Sequence, residues 1–246
     1  TRAIDAMTSE WKKLESKRVW LLETVRDWRD VQREARDGHR KAFLGDVVGL
    51  CVEKGAELSV KFRKYKGRYV YRGDWVRDEN SEVTLFNALS SSPATLESSK
   101  FIDAIGMQPG YQIMQSDATQ AYVQAKLKDK DGYWVSLPRE CWPAKWLTDP
   151  KIMKMDKPVV RLDKALYGHP DSGGHWERRC EAQLVSKGWR LVCDNGNWAS
   201  TYYHKEYDCT LMVYVDDFNM PQKTSHESPF QPPLELLRRL WMDYNG

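Results

Sequence analysis

The chain has 246 residues, 41% of them hydrophobic and 30% charged, with 11 Trp, 12 Tyr and 6 Phe. That supplies enough apolar area for one large domain or two small lobes sharing a core, and it excludes a stapled mini-protein and wholesale disorder. Basic residues outnumber acidic ones by only 38 to 35, so net charge by itself names no partner.

No apolar run approaches the roughly 20 residues that span a bilayer, and no charged-then-apolar leader opens the chain. A soluble, non-secreted protein with no membrane partner is expected. The lack of obvious caps at Thr1 and Gly246 suggests a piece of a longer polypeptide. Cys51, Cys141, Cys180, Cys193 and Cys209 are widely spaced and form no C-x-x-C pair. This argues against a disulfide framework or a zinc site and fits a reducing compartment.

In chain order, Ile4, Met7, Trp11 and Leu14 recur at helical spacing and predict an opening helix. The stretch from about Leu22 to Ala42, dense in Arg, Asp and Glu, predicts a solvated helix interrupted near Gly38. Val47 to Val52 is a strand candidate. Between Lys61 and Arg72 stand six basic residues and no acid, interleaved with Phe62, Tyr65, Tyr69 and Tyr71. As a strand, this segment would present Lys64, Lys66, Arg68 and Arg72 to an anion and turn Tyr65, Tyr69 and Tyr71 towards the protein.

Ser92 and Pro93 predict an N-cap and first helical residue, and Phe101, Ile102 and Ile105 continue that helix to a stop at Gly106. Tyr111 to Ser116 predicts a strand ending at Asp117, followed by a helical turn through Ala121 and Tyr122. Tyr133 to Leu137 and Val159 to Leu162 are further short strands. Trp176, Cys180 and Leu184 share a helical face that closes at Gly188, better explained as core than as a base-stacking platform. His169 and His175 do not match zinc spacing and suit surface or packing roles. Leu211 to Val215 is an apolar run entering Asp216 and Asp217. Four of the 11 prolines follow Met220, which predicts a loosely attached tail with one helical stretch, Leu234 to Met242. Without strict βαβ alternation, these elements predict an α+β fold with a mainly antiparallel sheet and packed helices.

Asp216 and Asp217 would sit in a hairpin turn, and adjacent acids in a turn are commonly there for backbone hydrogen bonding and solvation. The functional alternative draws on Asp117, which also stands where a strand gives way to a turn. Three carboxylates converging on one sheet end would repel unless cations sat between them. Mg²⁺ suits such a place because it takes a few carboxylates plus water and phosphate oxygens. Two ions about 4 Å apart can serve an in-line phosphoryl transfer, with the basic strip holding phosphates. The plain alternative for that strip is an edge strand kept apart from others by its lysines.

Tyr214-Val215-Asp216-Asp217 resembles the catalytic motif of reverse transcriptases, and three further stretches, in the right order, resemble the copia (Ty1) class of retrotransposon polymerases. Residues Tyr65 to Gly73 resemble its fingers motif. Gln115-Ser116-Asp117-Ala118, continuing through Ala121-Tyr122-Val123-Gln124, resembles its first aspartate motif. Lys164-Ala165-Leu166-Tyr167-Gly168 resembles its K-A-L-Y-G block, although His169-Pro170-Asp171-Ser172 follows where the family usually has Leu-Lys-Gln-(Ser/Ala)-Pro. The likeness covers residues 1–220, as fingers and palm, and leaves 221–246 as a divergent proline-rich tail with the palm incomplete.

The resemblance implies a templated DNA polymerase that is part of a Gag-Pol-type polyprotein, working on an RNA or DNA template with primer and dNTPs. It implies two Mg²⁺ ions, with Mn²⁺ as a substitute, held by Asp117, Asp216 and Asp217 and by the Ala118 carbonyl. Lys66 and Arg68 would face the triphosphate, Ala121 and Tyr122 would floor the nucleotide site, and Gly168 would let backbone lie close to the template base pair. The expected location is cytoplasmic, in a retrotransposon particle, or nuclear. The alternative is a noncatalytic nucleic-acid-binding remnant of such a domain.

Overall fold

In the computed structural model, which describes residues 2–84, 91–128, 132–193 and 198–223, the chain divides into two units of mixed α+β structure. The first takes the described residues of 1–88 and 122–172, the second those of 89–121 and 173–246. Each is built on an open five-stranded sheet with helices packed against it.

In the first unit the opening helix forms as its spacing predicts. α1 (Arg2–Ser16) buries Trp11 and Leu14 and leaves Ile4 62% exposed. Trp11 stacks at 4.6 Å on Trp20 and meets Tyr69 edge-on at 4.8 Å. The helix lies so close to the sheet that a Cβ on Gly67 would come within 2.8 Å of the Ala6 carbonyl oxygen, so glycine is needed there for close approach.

The predicted solvated helix from Leu22 to Ala42 is only half helix. Residues Trp20–Asp27 form β1, and α2 follows as Trp28–Asp37, ending at Gly38 as expected. β1 pairs antiparallel with β6 (Pro158–Leu162), a partner more than 130 residues away, and lies at the sheet edge, where a strand carries charge without burying it. Asp27 ends the strand and starts the helix, its side chain accepting from the Arg29 N–H at 2.9 Å. α2 is amphipathic and buries Trp28, Val31 and Ala35 against Ala42, Leu44 and Val159.

β2 (Phe43–Lys54) is longer than its sequence signal and pairs with β3 (Lys64–Tyr71). With β5 (Tyr133–Ser136) the sheet order is β1-β6-β5-β2-β3, antiparallel throughout except for the β2–β5 pair. Two short helices, α4 (Ala144–Thr148) and α5 (Pro150–Met153), add Trp146 and Ile152 to its core.

The second unit begins its helix later than predicted. α3 (Leu96–Gly106) is capped by Thr95, whose hydroxyl accepts from the Ser98 N–H at 3.2 Å. Ser92 is engaged elsewhere: its N–H donates to the Glu177 carboxylate at 2.7 Å and its carbonyl accepts from the Ser200 hydroxyl at 2.8 Å. The stop at Gly106 is as expected. β4 (Tyr111–Asp117) is followed in the chain by a 3₁₀ turn at Tyr122–Gln124, which belongs to the first unit and is close to the predicted helical turn. α6 (Ser172–Ser186) buries Trp176, Cys180 and Leu184 along one face. Burial pushes the Cys180 thiol up to about 12, so it behaves as a small apolar side chain.

β7 (Trp189–Leu191), β8 (Thr201–His204), β9 (Cys209–Tyr214) and β10 (Asp217–Lys223) complete an antiparallel sheet of order β4-β10-β9-β8-β7. β10 runs through Pro221, which is buried, to Lys223. The predicted helix from Leu234 to Met242 lies outside the described residues. No helix among the described residues is long and apolar enough to cross a membrane.

Candidate functional site

Asp117, Ala118, Ala121, Asp216 and Asp217 belong to the second unit, and Lys66, Arg68, Tyr122 and Gly168 to the first. Each group is built by local chain geometry within its own unit.

In the second unit β4 ends on Asp117 and β10 begins on Asp217, and the ladder sets these two residues directly opposite. Opposed residues of an antiparallel pair project from the same face, with Cβ atoms about 5 Å apart. Phe218 points to the other face and is 1% exposed, which anchors the start of β10 in the core. Tyr214 pairs with Asp217, so β9 and β10 are joined by a two-residue turn, Val215-Asp216. The Asp216 carbonyl accepts from the Ala118 N–H at 2.7 Å, tying the turn to the residue that follows Asp117. Asp117 and Asp217 are exposed, Asp216 is half-buried, and Ala118 and Ala121 are buried.

The side chains do not complete what this backbone sets up. Among the described residues, no group of three or more His, Cys, Asp or Glu side chains is gathered so as to hold a metal ion. The expected convergence of three carboxylates is not found as a closed ligand set: the ladder opposes Asp117 to Asp217, and Asp216 stands in the adjoining turn. An opposed carboxylate pair at a wet sheet end nevertheless fits Mg²⁺, which keeps waters and draws further oxygens from a phosphate substrate.

The turn itself is strained. Val215 has φ 58, and in a two-residue hairpin a positive φ at the first turn position is normally given to glycine. A β-branched residue there costs on the order of 1–3 kcal/mol and persists only where its surroundings hold it. The buried Trp176 of α6 supplies a hold: its indole N–H donates to the Val215 carbonyl at 2.6 Å. The spacing of Trp176, Cys180 and Leu184 marks a core face, but nothing in that spacing indicates an N–H aimed at the acidic turn.

In the first unit β3 turns Lys64, Lys66 and Arg68 to solvent and buries Tyr69 and Tyr71, as its alternation predicts. Tyr65 departs from that expectation at 38% exposed, because it lies near the start of β3, where neither face of the strand is covered. Burial raises the Tyr69 and Tyr71 hydroxyls above the usual tyrosine range, so both stay neutral and pack. Arg72 lies past the strand end, its N–H donating to the Asp46 carbonyl at 2.8 Å.

Tyr167 draws the first unit's candidate residues together. The Arg68 guanidinium lies over its ring at 5.9 Å, and Tyr122 meets it edge-on at 4.6 Å. Its carbonyl accepts from the Tyr71 N–H at 2.7 Å, joining the K-A-L-Y-G block to the end of β3. Gly168 follows at φ +84, where a Cβ would stand 2.1 Å from the Tyr71 carbonyl oxygen. Its lack of a side chain is therefore required by packing of the chain on itself. His169, the first residue past the family pattern, is 4% exposed, with Tyr71 and Tyr133 rings at 4.8 and 4.4 Å.

With this geometry in place, comparison with known proteins gives a direction. The chain is similar to the Ty1 Gag-Pol polyproteins of Saccharomyces cerevisiae. It is 21% identical to the transposon Ty1-MR1 Gag-Pol polyprotein over 188 residues, 74% of this chain and 9% of that protein. The figures for the transposon TyH3 Gag-Pol polyprotein are the same, 21% over 188 residues, 74% and 9%. The truncated transposon Ty1-A Gag-Pol polyprotein is 22% identical over 160 residues, 62% of this chain and 11% of that protein. The chain spans about a tenth of the length of these curated relatives. No protein-family model matches it.

Proposed function

We propose that residues 1–220 are the fingers and palm of a copia-type reverse transcriptase, with 221–246 as a divergent tail whose first residues, Pro221 to Lys223, finish β10, and that the chain extends a primer along an RNA or DNA template. The observation that carries this reading is the register of β4 and β10, which opposes Asp117 to Asp217 beside the turn that holds Asp216. Two antiparallel strands ending together on acids, one of them entering through Tyr214-Val215-Asp216-Asp217, make an anionic sheet end with a buried base. The similarity to Ty1 Gag-Pol polyproteins supports the lineage.

In this reading Asp117, Asp216 and Asp217 hold divalent metal, with the Ala118 carbonyl as a further oxygen ligand. Mg²⁺, or Mn²⁺ in its place, would supply Lewis-acid charge for a hydroxyl nucleophile and a pyrophosphate leaving group. Lys66, as a point charge, and Arg68, as a fork, take the triphosphate of the dNTP. Ala121 and Tyr122 floor the nucleotide, and Gly168 keeps its stretch of backbone bare for the template base pair. The primer 3′-hydroxyl gives up its proton to solvent and attacks the α-phosphorus; a new P–O bond forms, the bond from the α-phosphorus to the oxygen bridging to the β-phosphate breaks, and pyrophosphate leaves. Partners are then template with primer, dNTPs and other segments of a Gag-Pol-type polyprotein, in a cytoplasmic particle or the nucleus.

The second reading is a nucleic-acid-binding remnant without turnover. It is favoured by the absence, among the described residues, of a closed three-carboxylate group. Primer extension with Mg²⁺ decides between them. Incorporation by the parent chain that Asp216→Asn removes supports the polymerase, whereas salt-sensitive binding without incorporation supports the remnant.

A further inference from the structure

We infer that Trp176 is a positioning residue for the acidic turn: through one hydrogen bond it sets where Asp216 and Asp217 stand. The inference rests on the reading of those carboxylates as metal-holding groups.

The argument begins with the peptide plane. A carbonyl and the Cα that follows it share one rigid unit, so fixing the direction of the carbonyl fixes the approach to the next residue. The Trp176 indole holds the Val215 carbonyl at 2.6 Å and thereby orients the plane that ends on the Asp216 Cα. The Ala118 N–H holds the next carbonyl, that of Asp216, at 2.7 Å and orients the plane that ends on the Asp217 Cα. Two successive planes, each gripped by one donor, carry the two acids.

The ladder closes the turn at Tyr214 and Asp217 and does not include Val215 and Asp216. Tyr214 is 52% exposed, Asp217 is exposed, and Val215 and Asp216 are only half-buried. Val215 meanwhile stands at φ 58, where a β-branched residue is under strain and gains by letting its peptide rotate. Trp176 is the fixed party, 2% exposed and buried along α6 with Cys180 and Leu184. Its N–H holds a strained turn in place. Ring packing alone would leave the Val215 carbonyl free to rotate.

Trp176→Phe keeps a ring in the core and removes the donor. Mn²⁺ binding to the full chain, followed by the EPR signal of the free ion, should weaken about tenfold. The same substitution in a Val215→Gly background should cost less than about threefold, because glycine adopts the positive φ without being held. Equal losses in both backgrounds would mean that Trp176 only packs and would overturn the inference. Unchanged affinity in Trp176→Phe, with affinity lost in Asp216→Asn, would overturn the inference and leave the metal reading standing. Parent-like affinity in Asp216→Asn would remove both. The unaltered chain gives a measurement that does not depend on a variant folding: the Trp176 indole resonance should broaden as Mn²⁺ is added, and an unaffected resonance would remove the metal reading and the inference with it.

Discussion

β3 and the β9–β10 turn carry opposite charges on opposite kinds of backbone. β3 is a regular strand: its basic side chains stand in solvent, its tyrosines are buried, and the two roles are separated by the alternation of the pleat. At the acidic turn, placement of Asp216 and Asp217 depends on a strained valine, an indole from a helix and the backbone N–H of Ala118, just past the end of β4. Charge on β3 can be changed without disturbing the fold, because the strand is held by its other face. Charge at the turn is inexpensive to change in itself, but the geometry that presents it is sensitive to residues that bear no charge.

The largest effect should come from removing the acids. Asp117→Asn or Asp216→Asn is expected to lower primer extension with Mg²⁺ on the order of 100-fold or more, and Asp217→Asn to impair it as well. Thermal melting should stay near the parent, since these side chains are exposed or half-buried and none belongs to the core. Retained turnover in the first two variants would reduce the contrast to one of surface charge.

Gly168→Ala should act on the fold. Its Cβ would fall 2.1 Å from the Tyr71 carbonyl oxygen, and its φ of +84 suits glycine. A loss of about 2–4 kcal/mol is expected, seen as a melting temperature lower by about 5–10 °C. A variant that melts like the parent would show that the K-A-L-Y-G block is not locked to β3.

Lys66→Ala and Arg68→Ala should raise the apparent dNTP KM about tenfold and change stability by no more than about 0.5 kcal/mol, because both side chains stand outside the core. A loss confined to template affinity would assign the strand to nucleic-acid backbone instead. Arg68 also lies over Tyr167, so its replacement should affect the Tyr122 side of the cluster more than that of Lys66 does.

The smallest effect is expected at Tyr122, which is half-buried edge-on to Tyr167. Tyr122→Val should raise the ratio of ribonucleotide to deoxyribonucleotide incorporation a few-fold if the ring crowds a 2′-hydroxyl. An unchanged ratio with lower stability would assign the ring to packing alone. Single-nucleotide incorporation measures it.

The candidate acids and bases were legible because their signals are local: an apolar run ending on an acid, basic residues at alternate positions, a four-residue motif. Arg68 and Tyr122 were each marked by motif, yet their common contact with Tyr167 could not be, since residues 68, 122 and 167 are far apart in the chain. Ser92-Pro93 shows the reverse failure. It has the composition of a helix start, but Glu177 and Ser200 take up its backbone groups and Thr95 caps the helix.

The sequence by itself determined the buried face of α1, the strand that ends on Asp117, the buried face of α6 and the apolar run into Asp216 and Asp217. Each of these depends on a period or a chain reversal that a few neighbouring residues specify. Tertiary structure alone decided that Trp20–Asp27 is a strand, that Asp117 faces Asp217, that Gly168 lies against Tyr71 and that the Trp176 N–H meets the Val215 carbonyl. Those outcomes depend on which distant backbone supplies the partner for a hydrogen bond or a close contact, and the local sequence pattern does not carry that choice.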